Sequence, residues 1–180
     1  MVINIIACID SNNAIGYKNQ LLFHIPEDLT RFRMLTTGHT ILMGRKTYES
    51  LPHGALPNRR NIVISHQDIH LERCDVFASI KKALDTCQDE EVFVIGGASI
   101  YEQTLSLADR LYLTKVNKAC KLADTYFPSF NEKEWNLESS FSPIFHSKEN
   151  RNIAILDMNQ PIDYSFCIYK KKQKYVSKYK

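Results

Sequence analysis

No stretch of this 180-residue chain is apolar for long enough to span a bilayer. The opening MVINIIACIDSNN has no basic leader and no small-residue cleavage site. It therefore reads as a buried strand and not as a signal peptide. The cysteines Cys8, Cys74, Cys87, Cys120 and Cys167 are odd in number, scattered, and contain no CxxC pair. That pattern argues against a disulfide frame or a zinc site and predicts reduced thiols in a cytoplasmic protein. His66 and His70 are four apart but lack a third partner, so no metal is expected. GxGxxG, the P-loop and GxSxG are all missing, which removes a Rossmann dinucleotide fold, a P-loop nucleotidase and a serine hydrolase from consideration. There is no internal repeat and no low-complexity linker, so the chain reads as one domain.

A basic surface is also missing, although the net charge is +3. The final KKKQKYVSKYK holds six lysines and no acid, and without it the rest of the chain stands at −3. A nucleic-acid binder carries its basic stripe on the fold. Here the basicity belongs to a tail, so no specific nucleic-acid partner is expected.

What is present is an alternation of apolar strands and amphipathic helices. VINIIACI (2–9) is apolar without a period of two, the mark of a central strand buried on both faces. A long loop rich in Asp, Ser, Asn and Gly follows over 10–24, and loops of that length are usually functional. Pro26 opens a helix, with Glu27 and Asp28 in its first turn and Leu29, Phe32 and Leu35 on a core-directed face. TILMG (40–44) is a strand and RKTYESL (45–51) a helix. NIVIS (61–65) and VFAS (76–79) are strands, and IKKALDTCQ (80–88) is a helix. VFVIGG (92–97) is a strand, ASIYEQTLSLA (98–108) a helix, and RLYLTKV (110–116) a strand. WNLESSFSPIF, NIAILDM and YSFCIYKK close the chain as strands, with NQPID as a turn between the last two. This order predicts an α/β fold with a largely parallel sheet and an antiparallel edge. The domain covers 1–170, and 171–180 form a lysine-rich tail.

Ligands of such sheets bind beyond the carboxyl ends of the strands. Two strand–glycine–helix junctions fall there. At MGRKT, Gly44 permits close backbone approach, Lys46 and Thr47 present helix-start N–H groups, and Arg45 and Lys46 add positive charge. At VIGGASIY, Gly96 and Gly97 leave bare backbone at a helix start, suited to a pyrophosphate. Two such junctions in one small domain point to a ligand with several phosphates.

In order and at the family spacing, IGYKNQLLFHIPEDL, MGRKTYES, LPNRRNIVIS, VIGGASIYEQ, YLTKV and DTYFP resemble dihydrofolate reductase. The resemblance is close over about residues 2–128 and looser in the final strand. It implies a dihydrofolate-reductase-like fold, with about eight strands in a mostly parallel mixed sheet and about four flanking helices. It implies hydride transfer from NADPH to carbon 6 of 7,8-dihydrofolate, with a proton added at nitrogen 5. The product, tetrahydrofolate, would supply one-carbon metabolism and thymidylate synthesis. A cytoplasmic monomer that binds antifolate inhibitors, with no membrane partner, is the expectation that follows.

The resemblance also assigns residues. Asp28 would grip the pterin amidine edge and polarise the ring, leaving the proton's immediate donor unassigned. Thr114 would bridge that acid and the ligand. Ile6 and Ile95 would offer carbonyls and apolar walls, and Leu29, Phe32 and Leu51 would flank the ring and its benzoyl extension. Arg59 would bind the glutamate α-carboxylate. On the NADPH side stand Cys8 at the end of the first strand, Ile15 and Gly16 of the loop, Gly44 to Thr47, and Gly96 to Tyr101 (Gly96, Gly97, Ala98, Ser99, Ile100, Tyr101). Arg45, Lys46, Ser65 and His66 surround the ribose 2′-phosphate position, and Thr125 completes the set. The Gly96–Gly97 peptide is expected to be cis. Leu22–Phe23 departs from the family's Pro–Trp, His53 replaces an often basic residue, and the stretch around 146–163 is longer than usual. Three alternatives remain beside this reading: a related reductase of a pyrimidine in riboflavin synthesis, a non-catalytic NADPH- or folate-binding module, and a nucleic-acid-interacting protein acting through its tail.

Overall fold

The computed structural model describes residues 1–87, 90–143 and 162–172. Its main sheet has eight strands: β1 (Val2–Ile9), β4 (Thr40–Gly44), β5 (Arg60–Ile64), β6 (Cys74–Phe77), β7 (Glu91–Gly96), β8 (Arg110–Val116), β10 (Trp135–Phe141) and β11 (Tyr164–Lys171). Their spatial order is β10-β11-β8-β1-β7-β4-β5-β6. From β8 to β6 every pairing is parallel, whereas β11 runs antiparallel to both β8 and β10. A smaller sheet joins β3 (Gln20–Leu21), β2 (Ala14–Tyr17) and β9 (Thr125–Tyr126) in that order. The helices are α1 (Pro26–Thr36), α2 (Arg45–Glu49), α3 (Ile80–Leu84) and α4 (Ala98–Leu105).

The central strands are buried on both faces, as their unbroken apolar runs predict. On β1, Ile3, Ile5, Ala7 and Ile9 join one core cluster with Leu42, Ile62, Val94 and Leu113. The residue between, Ile6, joins the opposite cluster with Ile41, Met43, Val63 and Phe93. α3 and α4 cover the first face through Ile80, Ala83, Leu84, Ile100 and Tyr101. α1 covers the second through Phe32 and Leu35, with Tyr48 and Leu51 beside them.

Three local outcomes differ from the sequence reading. The loop over 10–24 contains β2 and β3, because Ala14 and Gly16 pair with Tyr126 and Thr125 from far along the chain. α3 stops at Leu84, where Thr86 N–H donates to Ala83 O and Cys87 N–H to Leu84 O. Those i→i−3 bonds tighten the chain into a 3₁₀-like close. The apolar face of α1 is only half-buried at Leu29, Phe32 and Leu35, and Thr36 is its one buried residue. A helix face of this kind forms the wall of a cleft. At the far end β11 runs to Lys171, and Lys172 N–H still donates to Glu134 O at 2.9 Å. The expected NIAILDM strand, most of the NQPID turn and the tail from residue 173 lie outside the described residues.

Candidate active site

Asp28 sits in the first turn of α1, which opens on Pro26 and has no side-chain cap at Ile25. Its acid therefore lies near the positive end of the helix. The Oδ1 of Asp28 accepts a hydrogen bond from the Thr114 hydroxyl at 2.5 Å. Thr114 is fully buried on β8, paired opposite Cys8 of β1. Burial pushes the Asp28 carboxyl above its ordinary range, while the Thr114 hydroxyl and the Arg31 guanidinium pull it back. The Cys8 thiol is pushed well up by burial and by the charges of Asp28 and Asp10, so it stays neutral. Tyr101 is raised for the same reason, and its hydroxyl donates to the Ile6 carbonyl at 2.8 Å. That carbonyl, expected to meet a ligand, already has one protein donor.

From Asp28 the helix crosses the sheet. Its other end reaches the amino end of β5, where Thr36 accepts from Arg59 Nε at 2.8 Å. Asp28 and Thr36 are eight steps apart on the helix, a rise of about 12 Å at 1.5 Å per residue. Between them Phe32, Leu51 and Ile95 pack against the cluster that holds Ile6, and Leu29 is half-buried on the same helix. Gly38, at φ +85°, turns the chain after α1 and donates to Asn58 O at 2.8 Å. This seats the Arg59 loop against the helix end.

The two neighbouring arginines separate cleanly. Arg60 is engaged by Asp75 at 2.8 Å and Glu90 at 3.2 Å. Arg59 makes its bonds to the neutral oxygens of Thr36, Thr37 and Pro57, and its guanidinium lies 5.8 Å from the Phe32 ring centroid. No carboxylate among the described residues pairs with it. Burial and the nearby Arg33 lower its hold on the proton. Arg59 also lines an open cavity of about 640 Å³ whose other charged residues are Arg60, Glu90 and Glu91.

The two glycine junctions stand on adjacent strands, β4 and β7, and touch each other. A Cβ on Gly97 would lie 3.2 Å from Thr47 Oγ1, and one on Gly44 would lie 3.1 Å from Ile100 Cγ1. The Gly96–Gly97 peptide is cis, as the resemblance implies. Gly97 O accepts from Ile100 N at 2.9 Å and Tyr101 N at 3.0 Å, which starts α4 and leaves Ala98 and Ser99 in its first turn. Ser65 lies just past β5, beside the Gly44 end of β4, and is buried, with Gln67 N donating to its hydroxyl at 3.1 Å. His66 and Lys46 are exposed, and Arg45 is paired with Glu49 at 2.5 Å.

The 10–24 segment is tied to this end. Asn19 donates to the Lys46 carbonyl at 3.1 Å. Gly16 lies in β2 with ordinary backbone, held close because a Cβ there would meet Gln20 O at 3.2 Å and Thr125 Cβ at 3.5 Å. The left-handed residues of the segment are Asn13, Lys18 and Asn19. Ile15 packs against the main core, and Leu22 and Phe23 are buried with Ile25, Ile162 and Tyr164. The predicted residues thus gather into an acid end, an apolar middle, a cationic end and a two-junction corner.

Two residues escaped the sequence reading. Asp10 is 2% exposed and accepts from Asn12 N and Ala14 N at 2.7 Å and Cys120 N at 2.8 Å. The DSNN run signalled its local turn, but not its distant partner. Arg31 stands one turn beyond Asp28, and the reading passed over it by following only the apolar positions of the helix. Among the described residues no cluster of His, Cys, Asp and Glu could hold a metal, and no helix is long and apolar enough to cross a membrane.

Fold and site together define an α/β protein with an acid, an apolar wall and a cation set along α1 against a mostly parallel sheet, and with two touching strand–glycine–helix junctions. The dihydrofolate reductase family model matches residues 2–171. A dihydrofolate reductase of Bacillus subtilis (strain 168) is 43% identical over 173 residues, covering 95% of each chain. One of Buchnera aphidicola subsp. Acyrthosiphon pisum is 40% identical, covering 92% of this chain and 97% of its own. Among solved structures, dihydrofolate reductase from Enterococcus faecalis, complexed with NADP(H) and RAB-propyl, superposes with a TM-score of 0.81. That alignment covers 96% of this chain and 97% of the other at 23% identity, so it speaks to fold. The chain belongs to the dihydrofolate reductase family.

Proposed function

We propose that the chain reduces 7,8-dihydrofolate to 5,6,7,8-tetrahydrofolate with NADPH, so supplying one-carbon metabolism and thymidylate synthesis. The observation that carries this is the line along α1. A half-buried carboxylate at one end, an apolar wall, and, at the helix end about 12 Å further along, an arginine with no acid partner among the described residues match a flat base, a linker and a carboxylate in one ligand.

Asp28 takes the N–H pair of the pterin edge, a planar match for a carboxylate. The Thr114 hydroxyl fixes its orientation. Ile6, Leu29, Phe32, Leu51 and Ile95 enclose the ring and benzoyl group and exclude water, and Arg59 holds the α-carboxylate with its fork. Proton delivery to nitrogen 5 is assigned to water, favoured by the negative charge of Asp28.

The residues of the two-junction corner fit a dinucleotide with several phosphates. A Cβ at Gly44 or Gly97 would press on Ile100 or Thr47, and Gly96 holds φ +126°, which side chains rarely adopt, so the backbone stays bare at both helix starts. Arg45, Lys46, Ser65 and His66 would hold the 2′-phosphate, Thr47 and the first turn of α4 (Ala98, Ser99, Ile100, Tyr101) the pyrophosphate, and Cys8, Ile15, Gly16 and Thr125 the nicotinamide side. When bound, NADPH supplies the hydride for carbon 6.

The cleft that takes the pterin would also take antifolate inhibitors. The body through residue 170 would carry the activity as a cytoplasmic monomer, in keeping with five free cysteines. The deciding experiment follows NADPH oxidation with and without dihydrofolate. Dihydrofolate-dependent oxidation is expected. Oxidation that requires an aminopyrimidine instead, or none with either, sinks the reading.

A further inference from the structure

Arg31 is an unusual cation. It lies on α1 one turn past Asp28, and its guanidinium carbon is 4.7 Å from the Phe166 ring centroid and 5.7 Å from that of Tyr112. Its Nη1 is buried and has no hydrogen-bond partner among the described residues. No ion pair of the described residues includes it. Aromatic faces hold the charge in place without neutralising it. The field of that charge reaches Asp28, one turn back on the same helix.

We propose that Arg31 is a positioning residue of the reductase reaction: a fixed cation that keeps Asp28 ionised and sets the proton balance of the pterin end. This rests on the dihydrofolate reading above. The groups that surround Asp28 and Arg31 leave the role to this residue. Cys8 of β1 and Tyr101 of α4 are raised by burial and by Asp28 itself, and stay neutral. Tyr164 of β11 is raised to about 12 by burial and by Glu27. Tyr112 of β8 is raised by burial and is likewise neutral. Thr114 gives a hydrogen bond but no charge. Glu27, next to Asp28, is exposed, and neither it nor Cys167 of β11 can supply a positive charge. The cation that counters the burial of Asp28 is Arg31, and Arg31 is itself lowered by burial and supported by Asp28.

Two consequences have the same sign. Removing the cation makes the Asp28 carboxyl harder to ionise, so the acid limb of kcat/KM moves to higher pH. It also removes a charge that opposes protonation of the bound pterin, so the alkaline limb of kcat, which reports the bound complex, moves to higher pH as well. The test measures kcat and kcat/KM for dihydrofolate against pH in wild type, Arg31→Met and Arg31→Lys. For Arg31→Met both limbs are expected to move upward, with activity on the acid limb lower by about threefold or more. Arg31→Lys, which keeps a cation over the rings, should hold both limbs near their wild-type positions. If Arg31→Met folds poorly, Arg31→Gln carries the same expectation. A profile merely scaled down, with its limbs in place, assigns Arg31 to packing and overturns the inference. Absent wild-type turnover overturns the dihydrofolate reading instead.

Discussion

Asp28→Asn exchanges a carboxylate oxygen for an amide nitrogen and removes one charge with almost no change of shape. The structure gives two separable consequences. The first concerns the ligand. Two charge-assisted hydrogen bonds to the pterin edge contribute roughly 1.5–3 kcal/mol each. Losing both costs about 3–6 kcal/mol, and each 1.4 kcal/mol is about tenfold in rate. Asparagine keeps one acceptor, so the fall in kcat/KM at neutral pH is expected near the lower end, about 10²- to 10³-fold. In acid, where the substrate arrives protonated, part of the activity returns. The second consequence concerns the fold. Burial raises the Asp28 carboxyl in the folded state, so the folded chain holds that proton longer than the unfolded chain does. Stability then falls as pH rises from the ordinary carboxylate value through the raised folded value. At neutral pH the whole cost of the buried charge is present, and asparagine removes it. Asp28→Asn should therefore melt at a higher temperature than wild type at neutral pH, with the gap closing below the ordinary carboxylate range. Steady-state kinetics and thermal melts across pH read the two effects separately. Near-wild-type turnover at neutral pH refutes the ligand role. A variant less stable than wild type at neutral pH refutes the electrostatic account.

Further expectations follow from the same geometry. Arg59→Ala should raise KM for dihydrofolate about tenfold or more with kcat little changed, because the lost contact is made before and during the reaction alike; an unchanged KM removes Arg59 from the site. The Arg45→Ala, Lys46→Ala double variant should lose most of its preference for NADPH over NADH, measured as the ratio of their kcat/KM values, and an unaltered ratio places the 2′-phosphate elsewhere. Asp10→Ala strands three backbone N–H groups and should cost about 3 kcal/mol in urea unfolding; a loss under about 1 kcal/mol would mean that water replaces the carboxylate.

The sequence disclosed whatever depends on neighbours in the chain. β1 reads as doubly buried because no polar residue interrupts VINIIACI, and both of its faces do join core clusters. Pro26, the first-turn acids and the apolar triplet placed α1 to the residue at its start. The glycine junctions were visible as strand–Gly–helix punctuation. What escaped depends on pairings across the fold. Which of Arg59 and Arg60 is engaged is decided by Asp75 and Glu90, which only the parallel pairing of β5 with β6 and the approach to β7 bring near. β2 and β3 were hidden in a loop because their stabilising partner, β9, lies more than a hundred residues away. Arg31 was hidden for a different reason. Its importance comes from Phe166, a ring on the last strand.

Thr47 beside Gly97 and Ile100 beside Gly44 tie the two glycine junctions into a single mechanical part. A methyl group added at 97 needs Thr47 to give way, and one added at 44 needs the same of Ile100. In divergent relatives these four positions should drift as two matched pairs, and a laboratory library randomised at one junction should recover function through second-site changes at the other.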